Sequence, residues 1–137
     1  MRRISPILVL LALAFSGLAA AAPPAPFAIP DIAPDDLVVR QAAGDASLLI
    51  LDVRTAEEYA AGHVPGAINV PHDALESRLD ALPGLRDHDL VVYCKSGRRA
   101  ALALEVLKRH GYVRLQHLAG DMDGWVQASR PVERPPP

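Results

Sequence analysis

Two apolar runs constrain the fold most. Leu48-Leu49-Ile50-Leu51 ends at Asp52, and Leu90-Val91-Val92-Tyr93 ends at Cys94. Each is continuous rather than alternating, the pattern of a strand covered on both faces, as in a parallel sheet enclosed by helices. Shorter strand candidates are Ala67-Ile68-Asn69-Val70 and Arg114 to Leu118. Helical signals fall between them. Pro34 followed by Asp35 and Asp36 suits a first helical turn, with Gly44 beyond its end. Thr55 with Glu58 forms a capping box that Gly62 would close, and a further helix is expected from Asp73 to Leu82. From Arg99 to His110, Ala100, Leu104 and Leu107 recur at helical spacing, Lys108 and Arg109 occupy the last turn, and Gly111 stops it. Strands alternating with helices predict an α/β domain with a mainly parallel sheet.

The N-terminus has a different character. Met1-Arg2-Arg3 precedes the apolar run Ile7 to Phe15 and then Ala19 to Ala22, a pattern that predicts a signal peptide over residues 1–21, cleaved near Ala21. A Pro-rich linker follows at 22–30, a domain at 31–130, and a Pro-rich tail at 131–137, of which Arg134 to Pro137 is expected to fray. Cleavage leaves about 115 residues, enough for one domain and its core. The expected location is periplasmic or secreted, with no stable membrane association after processing. The formal charge of −2 shows no basic field of the kind that nucleic acid requires.

One cysteine excludes an internal disulfide, so a thiol exposed to an oxidising compartment needs explaining. Cys94 comes at the end of a strand and is followed by Lys95-Ser96-Gly97-Arg98-Arg99, which leads into a helix. Open α/β sheets place ligands at such strand ends. A tight turn at Gly97 can aim backbone N–H groups at one point, where the helix N-terminus adds partial positive charge. N–H donors and three nearby cations would stabilise a thiolate and also hold an incoming anion, so no general base is needed. Arg98 and Arg99 at a helix start oppose the helix dipole, a local cost that suggests a functional reason.

These residues resemble the rhodanese family over nearly the whole mature domain. Leu51-Asp52-Val53-Arg54 with Glu57-Glu58-Tyr59 and Gly62 to Pro71 is similar to its first signature. Val91 to Ala100 is similar to its active-site loop, and Leu118-Ala119-Gly120 through Gly124-Trp125 to its closing signature. The resemblance implies a parallel five-stranded sheet flanked by helices on both faces, with no metal and no cofactor. It implies a ping-pong sulfurtransferase, in which Cys94 takes sulfane sulfur from thiosulfate or a related anionic donor and passes it to a thiophilic acceptor. Lys95, Ser96, Gly97, Arg98 and Arg99 would form the anion cradle, and Asp52 and Arg54 would support it, either as a structural ion network or directly in catalysis.

Two alternatives accompany this expectation. A phosphatase or arsenate reductase of the same fold resembles a pattern with five residues between cysteine and arginine, whereas four separate Cys94 from Arg99. The shorter loop suits a sulfur atom on the cysteine. A carrier or sensor that hands sulfur to a protein partner would keep the same loop. One departure from the family is Asp121, where a second glycine is common. It is expected to cap the last short helix, because a carboxylate facing the cradle would weaken anion binding. The five histidines lack metal-ligand grouping; His63 is expected in a structural turn, and His72, His88, His110 and His117 at the surface or at element ends.

Overall fold

A computed structural model describes residues 28–82 and 84–137. The expected signal peptide, and the linker as far as residue 27, lie outside the described residues. Five parallel strands form one sheet: β1 (Asp31–Ile32), β2 (Leu48–Asp52), β3 (Ile68–Asn69), β4 (Asp89–Tyr93) and β5 (Leu115–Leu118), in the spatial order β1-β5-β4-β2-β3. The two runs that predicted buried strands are the adjacent pair β2 and β4, in register from Leu48 opposite Asp89 to Asp52 opposite Tyr93. Their last residues therefore lie side by side at the carboxyl edge of the sheet.

Helices cover both faces. The helices are α1 (Pro34–Ala42), α2 (Ala56–Ala61), α3 (Leu75–Arg78), α4 (Arg98–Arg109) and α5 (Asp121–Gln127). Leu90 and Val92 of β4 pack with Ala100, Leu104 and Leu107 of α4 and Leu75 of α3. Val91 and Tyr93 point the other way, into a cluster with Leu37 of α1 and Met122 and Trp125 of α5. This period-2 division of one continuous apolar run is what a strand buried on both faces requires.

The Thr55 capping box is complete: Glu58 N–H donates to Thr55 Oγ1 and Thr55 N–H donates to Glu58 Oε2. The helix expected from Asp73 to Leu82 is shorter. Only Leu75–Arg78 is α-helical, and a 3₁₀ turn follows at Leu79–Ala81. Its N-cap, Ala74, has no side chain able to cap, and Pro83 disfavours helical backbone at Leu82, so the buried contacts of Leu75 and Leu79, with Glu76 paired to His110 at 2.9 Å, hold the segment.

Within the tail, Arg134 is anchored where fraying was expected to begin, and the residues before it run back over α2: His63 and Glu133 exchange both backbone hydrogen bonds, at 3.0 and 2.9 Å. Trp125 Nε1–H donates to the Pro131 carbonyl at 2.8 Å, and Arg134 Nε–H to the Ala61 carbonyl at 2.9 Å. Val132 packs on the core cluster around Trp125.

Candidate active site

Cys94 follows β4 directly and is 1% exposed. Its backbone is fixed on both sides, the N–H donating to Asp121 Oδ1 at 2.9 Å and the carbonyl accepting Met122 N–H at 2.9 Å. The next carbonyl, that of Lys95, accepts Asp123 N–H at 3.0 Å. The first turn of α5 thus clamps the start of the loop. The chain then turns at Gly97, whose φ of +110° lies where L side chains are disfavoured, and enters α4 at Arg98. Gly97 N–H donates to Cys94 Sγ at 3.0 Å. The ring of donors expected from Lys95 to Arg99 is represented at the sulfur by this bond, with the N-terminal turn of α4 behind it.

Two of the loop's three cations have counterions. Arg99 forms a bidentate pair with Glu58 at 2.7 and 2.9 Å. That bond chiefly holds the Glu58 carboxyl down at about 2, and the Arg99 guanidinium is raised by the same partner, with Cys94 a smaller contributor. Lys95 reaches Asp123 at 2.9 Å in a pair exposed on both sides. Ser96 and Arg98 face solvent.

Below the loop, Asp52 and Arg54 form a buried network. Arg54 Nη2 donates to Asp52 Oδ2 at 2.6 Å and to the Gly62 carbonyl at 2.8 Å, while Tyr93 Oη–H donates to Asp52 Oδ2 at 2.7 Å. Burial, then the Asp52 charge, pushes the Tyr93 hydroxyl far above its ordinary range, so it remains a donor. None of these bonds reaches Cys94, although Arg54 also lines the cleft outside it. That cleft, about 570 Å³, is bounded by Arg54, Glu58, Lys95, Met122, Val126 and Arg134.

A cysteine at a strand end, an N–H aimed at its sulfur and a helix starting behind it form an arrangement in which a thiolate can be stabilised. The profile of the rhodanese-like domain family matches residues 34–128, which hold Cys94, its loop, Asp52, Arg54 and Glu58. The chain belongs to the rhodanese-like domain family. A sulfurtransferase of Allochromatium vinosum is 34% identical over 88 residues, covering 64% of this chain and 80% of the relative. A putative sulfur carrier protein of Bacillus subtilis is 35% identical over 81 residues, covering 59% of this chain and 43% of that protein. A human single-domain sulfurtransferase structure superimposes with a TM-score of 0.64 at 31% identity, covering 73% of this chain and 97% of that one. The rhodanese-like fold, with its parallel five-stranded sheet and helices, is the one the sequence predicted.

Asp121 departs from the expectation for it. Gly120 occupies the N-cap of α5, with φ +81°, and the Asp121 side chain makes no capping bond. It is buried, at 3% exposure, and turned toward the rhodanese loop, where Oδ1 holds Cys94 N–H and Oδ2 lies 3.1 Å from where a Cβ on Gly97 would be. His117 is likewise neither at the surface nor at an element end. It lies within β5, half-buried, with Nδ1 at 2.9 Å from Asp31 and Nε2 at 3.0 Å from Asp121. Glu58 was legible as a cap residue, but its contact with Arg99 had no signal in the spacing. His63 fits its expected structural role: it is buried, stacked on Tyr59 at 3.7 Å, with Nδ1 at the Tyr59 carbonyl.

Proposed function

We propose that this rhodanese-like chain is a thiosulfate-type sulfurtransferase working through a Cys94 persulfide. The observation that carries this reading is the Gly97 N–H donated to Cys94 Sγ at the N-terminus of α4. It stabilises negative charge on that sulfur when it is a thiolate, both before attack on the donor and as the group that leaves in the second half-reaction.

In the first half-reaction the Cys94 thiolate attacks the outer sulfur of thiosulfate. The S–S bond of the donor breaks, sulfite departs with the bonding pair, and Cys94 is left as a persulfide. In the second, a thiophile such as cyanide or a thiolate attacks the outer sulfur of that persulfide, and the Cys94 thiolate returns with the electrons of the broken bond. No external oxidant or reductant enters. Lys95 and Arg98 supply charge for the donor's oxygens, and Arg99 contributes from its pair with Glu58. The near-complete burial of Cys94 suits a thiol that must survive in an oxidising compartment. Four residues between Cys94 and Arg99 favour sulfur over a phosphoryl group. The same reading takes residues 1–21 as a cleaved leader, so protein recovered outside the cytoplasm should begin near Ala22 on N-terminal sequencing.

The test is intact mass after incubation of reduced protein with thiosulfate. One added sulfur is expected on the wild type and none on Cys94→Ser, and cyanide should then remove it as thiocyanate. Sulfur that loads but leaves slowly with every small acceptor would favour the carrier alternative. Phosphate-ester hydrolysis without sulfur loading would overturn the reading.

A further inference from the structure

Asp121 is a buried carboxylate in a place where negative charge is costly. It holds the loop through Cys94 N–H and lies where a side chain at Gly97, the residue whose own N–H serves the sulfur, would crowd it. Its φ of +53° lies in the left-handed region, which aspartate tolerates better than most residues other than glycine. An uncompensated carboxylate there would oppose each anion the loop must hold: thiolate, persulfide and donor.

Compensation comes from His117. Its ring bridges Asp31 of β1 and Asp121 of α5, with Nδ1 at 2.9 Å from the first and Nε2 at 3.0 and 3.1 Å from the oxygens of the second. Glu105 of α4 lines the small cavity that His117 shares with Asp31 and Gly97, and Cys94 follows β4, whose Val92 pairs with His117. The titratable neighbours of the ring on all four elements are therefore anionic or neutral. The loop cations Lys95 and Arg99 are instead engaged by Asp123 and Glu58.

We propose that His117 is a positioning residue for sulfur transfer, an imidazolium that cancels the charge of Asp121 so that this carboxylate can anchor the Cys94 loop without repelling the anion bound in it. The proposal rests on the sulfur-transfer reading. The hydrogen bond to Asp121 is the largest cause of an upward shift in His117, opposed by burial and reinforced by Asp31. Below its folded pKa the ring is charged and the loop is neutralised from beneath. As pH rises through that value the imidazolium is lost, Asp121 is uncovered, and turnover of an anionic donor falls.

The test combines His117→Gln, Asp121→Gly and the double variant, assayed for thiosulfate kcat/KM and for the rate of Cys94 alkylation by iodoacetamide between about pH 5 and about pH 9. The wild type should show an alkaline decline. His117→Gln should lower kcat/KM about tenfold at the acid end and abolish that decline, yet cost less than about twofold in the Asp121→Gly background, where no carboxylate needs cancelling. An equal cost in both backgrounds would show that His117 acts only as packing and would overturn the proposal. Thermal midpoints identify any variant that fails to fold. Should His117→Gln be one of these, Asp31→Asn removes the ring's other carboxylate without touching the loop, and it should move the alkaline decline to lower pH. A decline that stays in place would equally overturn the proposal. Alkylation needs no sulfur donor, so slower alkylation in His117→Gln that Asp121→Gly relieves would uphold the charge relation even if no variant loads sulfur, an outcome that sinks only the sulfur-transfer reading.

Discussion

The Arg99 guanidinium faces both oxygens of Glu58, at 2.7 and 2.9 Å, and the oxygen nearer to it also accepts Thr55 N–H. One carboxylate therefore closes the cap of α2 and restrains a cation of the Cys94 loop. Lys95 is restrained much less, because its pair with Asp123 is more than half exposed on both sides and such pairs contribute little. Replacing either cation by alanine should raise KM or lower kcat for thiosulfate, at about 1.5–3 kcal/mol per lost anion contact. Only Arg99→Ala should also lower the thermal midpoint. Equal midpoints for the two variants, measured by calorimetry, would show that the Glu58 pair does not brace the fold.

The same pair gives an acid signature. Glu58 titrates at about 2 in the folded chain against an ordinary 4.5, with the Arg99 bond the leading cause. Because the folded value is depressed, the stabilisation is complete above the unfolded value and is lost as pH falls through the folded one. The advantage of wild type over Glu58→Gln should be constant from neutrality to about pH 4.5 and gone by about pH 2, and partial exposure keeps it under about 1 kcal/mol. Urea midpoints across that range measure it. An advantage that persists at the acid end would contradict the assignment.

What could be read in the sequence was whatever left a local periodic or chemical trace. β2 and β4 were legible because a strand buried on both faces must be apolar throughout, α4 because Ala100, Leu104 and Leu107 repeat at its period, and Cys94 because of the residues that follow it. β1 was not, since Asp31-Ile32 is too short for any pattern and is held by pairing with β5 and by the burial of Ile32. The docking of the tail depends on Ala61 and His63 in one segment and Trp125 in another, which no local pattern links. Asp121 was recognisable as a departure from the family, yet its direction was misjudged. Gly120 occupies the N-cap, which leaves the Asp121 carboxylate to turn toward the loop.

Tyr93 should matter more for stability than for chemistry. Its hydroxyl donates to Asp52 and accepts Val64 N–H at 3.0 Å, all of it buried. Tyr93→Phe leaves that N–H unpartnered and should cost about 2 kcal/mol in urea unfolding. Arg54→Ala strands the Asp52 carboxylate and should cost about 3–5 kcal/mol. Arg54→Lys separates the two roles open to this residue: a variant of near-normal stability that has lost turnover would place Arg54 at the substrate, whereas parallel losses would assign it to the scaffold.

The tail offers a paired truncation. Ending the chain after Arg130 removes the Pro131 carbonyl that satisfies Trp125, the two-bond bridge between His63 and Glu133, the 3.1 Å bond from Gly66 N–H to Glu133 Oε2, and the anchor of Arg134 on Ala61. At about 1 kcal/mol per hydrogen bond, less what water restores, the loss should be about 2–4 kcal/mol. Trp125 fluorescence should shift to the red as the ring gains solvent. Val132 and Arg134 also form part of the cleft wall beside Arg54 and Lys95, so KM for the acceptor should rise more than KM for the donor. Ending the chain after Arg134 instead removes only exposed prolines and should change none of these quantities. If both truncations leave stability and fluorescence unchanged, the strap contributes nothing to the fold. If both lower stability equally, the final prolines rather than the Glu133 bridge hold it down.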